Sequence, residues 1–209
     1  ERRAALLNLV GIWGASTDAQ RRARELAAAY MTDPTSLPGT LAPAVLDVAA
    51  YGGDAALYDR YLARLEQLAS QPEEYYRFFN ALPYFDEPAL VARTLEFALS
   101  PKVRTQDAGS LFAGLLARPW SRDRAWAFVK EHWAELTERL GTFQGIPTIV
   151  MGTSNFCTTA AAADIRSSFE REPVASAAHG SARSIEKVSA CAAVADRQSR
   201  PLSKWLTEP

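Results

Sequence analysis

The residues that carry most enzyme chemistry are the scarcest in this sequence. Only two histidines and two cysteines stand among 209 residues, and 23 basic side chains against 24 acidic ones leave a net charge of −1. Zinc hydrolases commonly set two or three histidines beside a carboxylate, often as H-E-x-x-H on one helix; His132 and His179 form no such motif. Two cysteines cannot build a disulfide framework or a four-ligand zinc knuckle, so Cys157 and Cys191 are expected as buried free thiols. With no basic excess to displace condensed counterions, an electrostatic nucleic-acid binder is excluded. No apolar run reaches the ~18 residues of a membrane span, and no signal peptide is visible. The expectation is a soluble chain with no membrane partner, of cytoplasm or periplasm alike. Phosphate-cradling motifs such as G-x-x-x-x-G-K-[ST] and G-x-G-x-x-G are missing, and Gly152-Thr153-Ser154-Asn155-Phe156 lacks the second glycine of a nucleophile elbow. The residues alone offer no catalytic and no metal site.

What is present is apolar content in helical rhythm. Hydrophobic residues make up 48% of the chain and charged ones 22%, enough buried surface to offset chain entropy, which excludes disorder. Leu57, Tyr58, Tyr61, Leu62, Leu65 and Leu68 draw one stripe along a helix that Asp54 caps after Gly52-Gly53. A second runs from Leu90 to Leu99, opened by Asp86 and Pro88; a third from Leu111 to Leu116. Ser121 opens a long amphipathic helix with Trp126, Val129, Trp133, Leu136 and Leu140 on its buried side, ended by Gly141. Residues 1–14, 18–31 and 41–51 read as helices, Ile185 to Ala195 as another, and Leu202 to Leu206 as a short last one. Ile146 to Met151 looks β-like but weak, and Ala175 to Ser184 reads as a mobile loop. Pro34, Pro38, Pro72, Pro83, Pro101, Pro119, Pro173 and Pro201 fall between stripes, where their missing N–H groups break no helical bond.

The fold class is therefore all-α. Ten or eleven helices with short connections force antiparallel pairs, stacked as an armadillo or HEAT-like superhelix without an internal domain boundary. The chain starts at Glu1 without a methionine, inside helical sequence, and is expected to be a piece of something longer.

Leu95-Glu96-Phe97-Ala98-Leu99-Ser100, followed by Val103-Arg104-Thr105-Gln106-Asp107, resembles the signature of the C-terminal helical domain in the aminopeptidase N and puromycin-sensitive aminopeptidase family. Ala125-Trp126-Ala127-Phe128-Val129-Lys130-Glu131-His132-Trp133 is similar to that domain's tryptophan-bearing helix. Ala44-Val45-Leu46 to Gly52-Gly53 upstream, and Phe156-Cys157, Phe169, Ala182-Arg183-Ile185 and Trp205-Leu206 downstream, follow in order. The resemblance implies a single helical domain over 1–209, the larger C-terminal part of the substrate-enclosing domain of a multidomain zinc aminopeptidase. Zinc and its ligands would belong to the parent's catalytic domain, so no catalytic residue transfers to this chain. The implied partners are that catalytic domain and peptide substrates.

A peptide's terminal carboxylate calls for a basic side chain, and Arg104, at a helix start with Gln106 and Asp107 nearby, is the first candidate. Tyr51 beside Gly52 and Trp120 beside Pro119 are candidate groove residues. Against a substrate role for Arg104 stands a structural one, in which Asp107 complements the helix dipole while Arg104 and Gln106 bond neighbouring helix ends. Trp126 and Trp133 read as core, His132 as solvated or capping, His179 as exposed. The carboxylate pairs Glu73 with Glu74 and Glu170 with Glu172 read as solvated charge. The alanine run 160–163 and the plain stretch 175–181 depart from the family pattern and receive no substrate role. The rival reading is a freestanding helical-repeat scaffold that binds a protein partner.

Overall fold

The computed structural model describes residues 2–141 and 144–207, so Glu1 lies outside the described residues. Twelve α-helices and no strand are found among them. The helices group into two compact units, Glu1–Glu96 and Phe97–Pro209.

The first unit holds α1 (Arg2–Asn8), α2 (Thr17–Thr32), α3 (Ala42–Ala50), α4 (Ala55–Gln67), α5 (Pro72–Ala81) and most of α6 (Pro88–Leu99). Helix α3 is its centre, because Ala42, Val45, Leu46, Val48, Ala49 and Ala50 are buried over most of its circumference, leaving the edge of Pro43 and Asp47 toward solvent. A helix apolar on most sides must be covered on most sides; α1, α2 and α5 pack against it. Asp54 caps α4 as its position foretells, its carboxylate accepting the Leu57 N–H at 2.8 Å. The buried edge of α4 then delivers Tyr58 and Tyr61 to an aromatic cluster with Phe78 and Phe85 in edge-to-face contacts of 5.0–5.5 Å. Burial raises the Tyr61 phenol above its ordinary value, and its hydroxyl donates to the Leu46 carbonyl at 3.0 Å.

The second unit begins at the end of α6 and holds α7 (Thr105–Leu116), α8 (Arg122–Glu131), α9 (Trp133–Leu140), α10 (Gly145–Gly152), α11 (Thr159–Arg171) and α12 (Ala178–Thr207). Helices α7 and α10 approach closely because glycine faces glycine. A Cβ on Gly109 would stand 2.8 Å from the Gly145 Cα, and one on Gly152 3.1 Å from the Ala113 Cα. Trp126, Trp133 and Phe169 close the neighbouring layer, with ring centroids 5.7 Å apart in both tryptophan–phenylalanine pairs.

Several sequence expectations need correction. The weak strand at Ile146–Met151 is helix α10, with Ile146, Ile149 and Val150 buried; packing against α7 overrides β-branched composition, and Pro147 sits in the first turn where a missing N–H costs nothing. The long helix from Ser121 is broken at His132, and Ser121 does not cap it but donates to the Leu115 carbonyl at 2.6 Å. The mobile loop at Ala175–Ser184 is a short 3-10 turn leading into α12. Pro201 lies inside α12, which absorbs the separate last helix. The thiols are neither free nor buried: Cys157 and Cys191 are joined in a disulfide with Cα atoms 5.0 Å apart, Cys191 exposed and Cys157 half-buried. Glu73 and Glu74 are not merely solvated, since both pair with Arg77. Glu74 also accepts from the buried Tyr30 hydroxyl.

The glycine contact yields a direct expectation. Gly109→Ala forces α7 off α10 and should lower stability by about 1–3 kcal/mol, the usual cost of overpacking. Gly180→Ala, whose new carbon meets the Met151 sulfur at an ordinary 3.6 Å, should be neutral or gain up to about 1 kcal/mol. Urea unfolding of both variants measures the contrast.

Candidate functional site

Two places in the second unit gather polar side chains. The first is the turn between α6 and α7. The last carbonyls of a helix have no partner within it, and the end of α6 finds one in Arg139 of α9. Its guanidinium donates to the carbonyls of Ala98 and Leu99 through Nη1, and to those of Ser100 and Val103 through Nη2 at 2.7 Å each. The next residue is Arg104, whose extended backbone (φ −61°, ψ 141°) starts α7. Its Nε donates to the Asp107 carboxylate at 2.8 Å, with the Arg104 side chain 55% exposed and that of Asp107 9%. Arg139 thus fixes the turn that presents Arg104.

Of the other candidates, Gln106 lies between these two in the sequence and is exposed. Trp120 lies past the far end of α7, half-buried, about 18 Å of helix away. Tyr51, half-buried, ends α3 in the first unit. Only Arg104 and Asp107 are joined by a direct ion pair.

The second place escaped the reading of the sequence. A cleft of about 540 Å³ opens between α8 and the start of α11. Arg122, Trp126 and Lys130 line it from α8 at four-residue spacing, and Phe156, Thr158 and Asp164 face them. Trp126 Nε1 and Lys130 Nζ both donate to the Asp164 carboxylate, at 2.6 and 2.7 Å. Lys130 holds that carboxyl below the ordinary carboxylate value and also lies over the Trp126 ring, 5.5 Å from its centroid. Arg122 stands over the Phe156 ring at 5.6 Å. Its Nε is sealed from solvent without a hydrogen-bond partner, and burial lowers its pKa. The signal was in the spacing: Trp126 reads as core, and it is 5% exposed, but the two cations flanking it on the same face mark a wall as well.

Among the described residues, no group of three or more His, Cys, Asp or Glu side chains is placed to hold a metal ion. His132 stacks on Phe128 with centroids 4.0 Å apart and places Nδ1 3.0 Å from the Phe128 carbonyl. With a carbonyl as its partner, that nitrogen acts as donor. His179 is exposed on the first turn of α12. No helix among the described residues is long and apolar enough to cross a membrane.

Residues 1–190 match the ERAP1-like C-terminal domain. The chain belongs to that family. Domain and relatives agree in kind: aminopeptidase 2, mitochondrial, of Saccharomyces cerevisiae is 27% identical over 176 residues, covering 83% of this chain and 18% of that protein. Aminopeptidase N of Lactococcus lactis subsp. cremoris (strain MG1363) is 27% identical over 205 residues, 94% of this chain and 24% of its own length. Alanine/arginine aminopeptidase of S. cerevisiae is 26% identical over 141 residues, 66% and 16% respectively. This ERAP1-like domain therefore spans less than a quarter of the relatives it matches, and the distal half of α12 lies past the family match.

The Asp164 network sets a pH dependence. A carboxyl whose folded pKa is depressed contributes stability above its unfolded value, here near 3.8, and loses it as the pH falls through the folded value. Wild type should exceed Asp164→Asn in stability at pH 7, and the two should converge below pH 3.8. Thermal unfolding across that range reads the gap.

Proposed function

We propose that this ERAP1-like domain is a noncatalytic part of a zinc aminopeptidase that removes N-terminal residues from peptides, where it encloses the substrate cavity and restricts access to it. The observation that carries this reading is the family match over 1–190, together with relatives named as aminopeptidases of which the chain spans less than a quarter. The relatives are named as aminopeptidases and are four to five times longer, so zinc and the hydrolytic chemistry would reside in the remainder of the parent polypeptide. In the parent, the helices would stack as a superhelical wall over the catalytic domain, excluding folded proteins and bulk water while leaving room for flexible peptides.

On such a wall Arg104 would be the group that meets the distal end of a peptide. Its accessible guanidinium is planar, permanently charged and shaped for a carboxylate, and Asp107 and the Arg139-held turn fix its origin. Binding energy gained far from the scissile bond orients the substrate there. Gln106, Tyr51 and Trp120 would supply secondary contacts. The rival, a freestanding protein-binding scaffold, predicts no peptidase sequence in the same reading frame.

In the parent enzyme, Arg104→Ala should reduce kcat/KM for peptides several residues long by about tenfold, the scale of one lost charge-assisted hydrogen bond. A single-residue reporter, too short to reach it, should be cleaved at the wild-type rate. Equal losses on both substrates would assign Arg104 a folding role.

A further inference from the structure

Helix α12 is held along a narrow line. Its buried residues are Ser184, Val188 and Ala192, one per turn, and the Ser184 hydroxyl shares a 2.6 Å hydrogen bond with that of Thr153. Beyond Ala192 no described residue is buried, and Val194, Leu202, Trp205 and Leu206 are 50–74% exposed. Cys191 sits where the buried line ends. Its disulfide to Cys157 ties α12 covalently to the segment that leads into α11, beside the last buried residue, Ala192.

The two sulfurs differ in setting. Cys191 is on an exposed helical position, whereas Cys157 is half-buried and precedes Thr158, the residue whose hydroxyl caps α11. Cys157 also lines the cleft that contains Arg122 and Lys130. A helix N-terminus favours a thiolate, as does a neighbouring cation. Lys130 and Asp164 in the cleft are paired with each other, so the cation that counts is Arg122, with Asp123 the opposing charge.

We propose that Cys157–Cys191 is a thiol-exchange site that takes a dithiol reductant at Cys191 and, once reduced, lets α12 leave the α11 side of the unit. One thiolate of the dithiol attacks the Cys191 sulfur. The disulfide breaks, its electron pair goes to Cys157, and that thiolate takes a proton from water. The second thiolate of the reagent then attacks the mixed disulfide, closing the reagent's own disulfide and releasing Cys191, which is protonated in turn. Two electrons pass from reagent to protein. A leaving thiolate stabilised at Cys157 departs faster, which directs attack to the other sulfur.

Treating the native chain with dithiothreitol without denaturant, then alkylating and digesting it, reads the exchange. The bond should open while the chain stays folded, and glutathione in place of the dithiol should leave its adduct on Cys191. Amide hydrogen exchange across α12 should then rise by about tenfold or more, while α2 to α4 keep their rates. The double variant Cys157→Ser, Cys191→Ser should show the fast α12 exchange with no reductant. A bond that opens only in denaturant, an adduct on Cys157, free thiols in the air-oxidised chain, or reduction with unchanged α12 exchange would each overturn the proposal.

Discussion

The second unit is organised around one guanidinium. Arg139 reaches from α9 to the carbonyls of Ala98 and Leu99 at the end of α6 and of Ser100 and Val103 in the turn beyond it, where the last helical carbonyls have no partner within the helix. Hydrogen bonds to a charged donor contribute about 1.5–3 kcal/mol each when fully formed, and several converge here on one half-buried side chain. The turn they stabilise hands the chain to Arg104 and α7, so the register of the Gly109–Gly145 contact and the aim of Arg104 both follow from it. No apolar residue could replace Arg139, because the groups it serves are backbone acceptors that remain wherever the chain turns.

The same economy of polar groups recurs. Tyr30, Glu74 and Arg77 close one network in the first unit, and Trp126, Lys130 and Asp164 close another in the second. Each sits at an edge of an apolar layer, where one partner is shielded and the other meets water. Such networks satisfy buried polar atoms while fixing which helix faces which. In the cleft, Arg122 is the exception, with an Nε that has no partner. The disulfide adds a covalent tie across a separation of 34 residues, a loop whose closure is worth roughly 2–4 kcal/mol.

Helices were legible wherever one stripe met one buried face. Asp54 and Gly141 stand at the helix ends their chemistry implies, and Leu57, Tyr61 and Leu65 are buried as spaced. The resemblance read from residues 95–133 extends to the family match over 1–190. Misreadings arose where tertiary contact decides. Ile146–Met151 is helical because α7 offers a glycine-lined face, which no local window contains. The break at His132 leaves the stripe intact, since Trp133 and Leu136 stay on the buried side. Cys157 and Cys191 meet only through the folding of α11 and α12. Arg104 could be named from its motif, whereas Arg122 and Asp164 become neighbours of one cleft only once α8 faces α11.

The central claim is that this domain forms a wall around a peptide site whose chemistry lies elsewhere in the parent. Photocrosslinking tests it most directly: the intact parent enzyme is bound to a nonhydrolysable peptide bearing a photoreactive group at its C-terminal end, irradiated, digested and sequenced. The account predicts adducts within this domain, on the segment that carries Arg104 and the start of α7. Adducts confined to the rest of the polypeptide, with none in this domain for any peptide length, would contradict it.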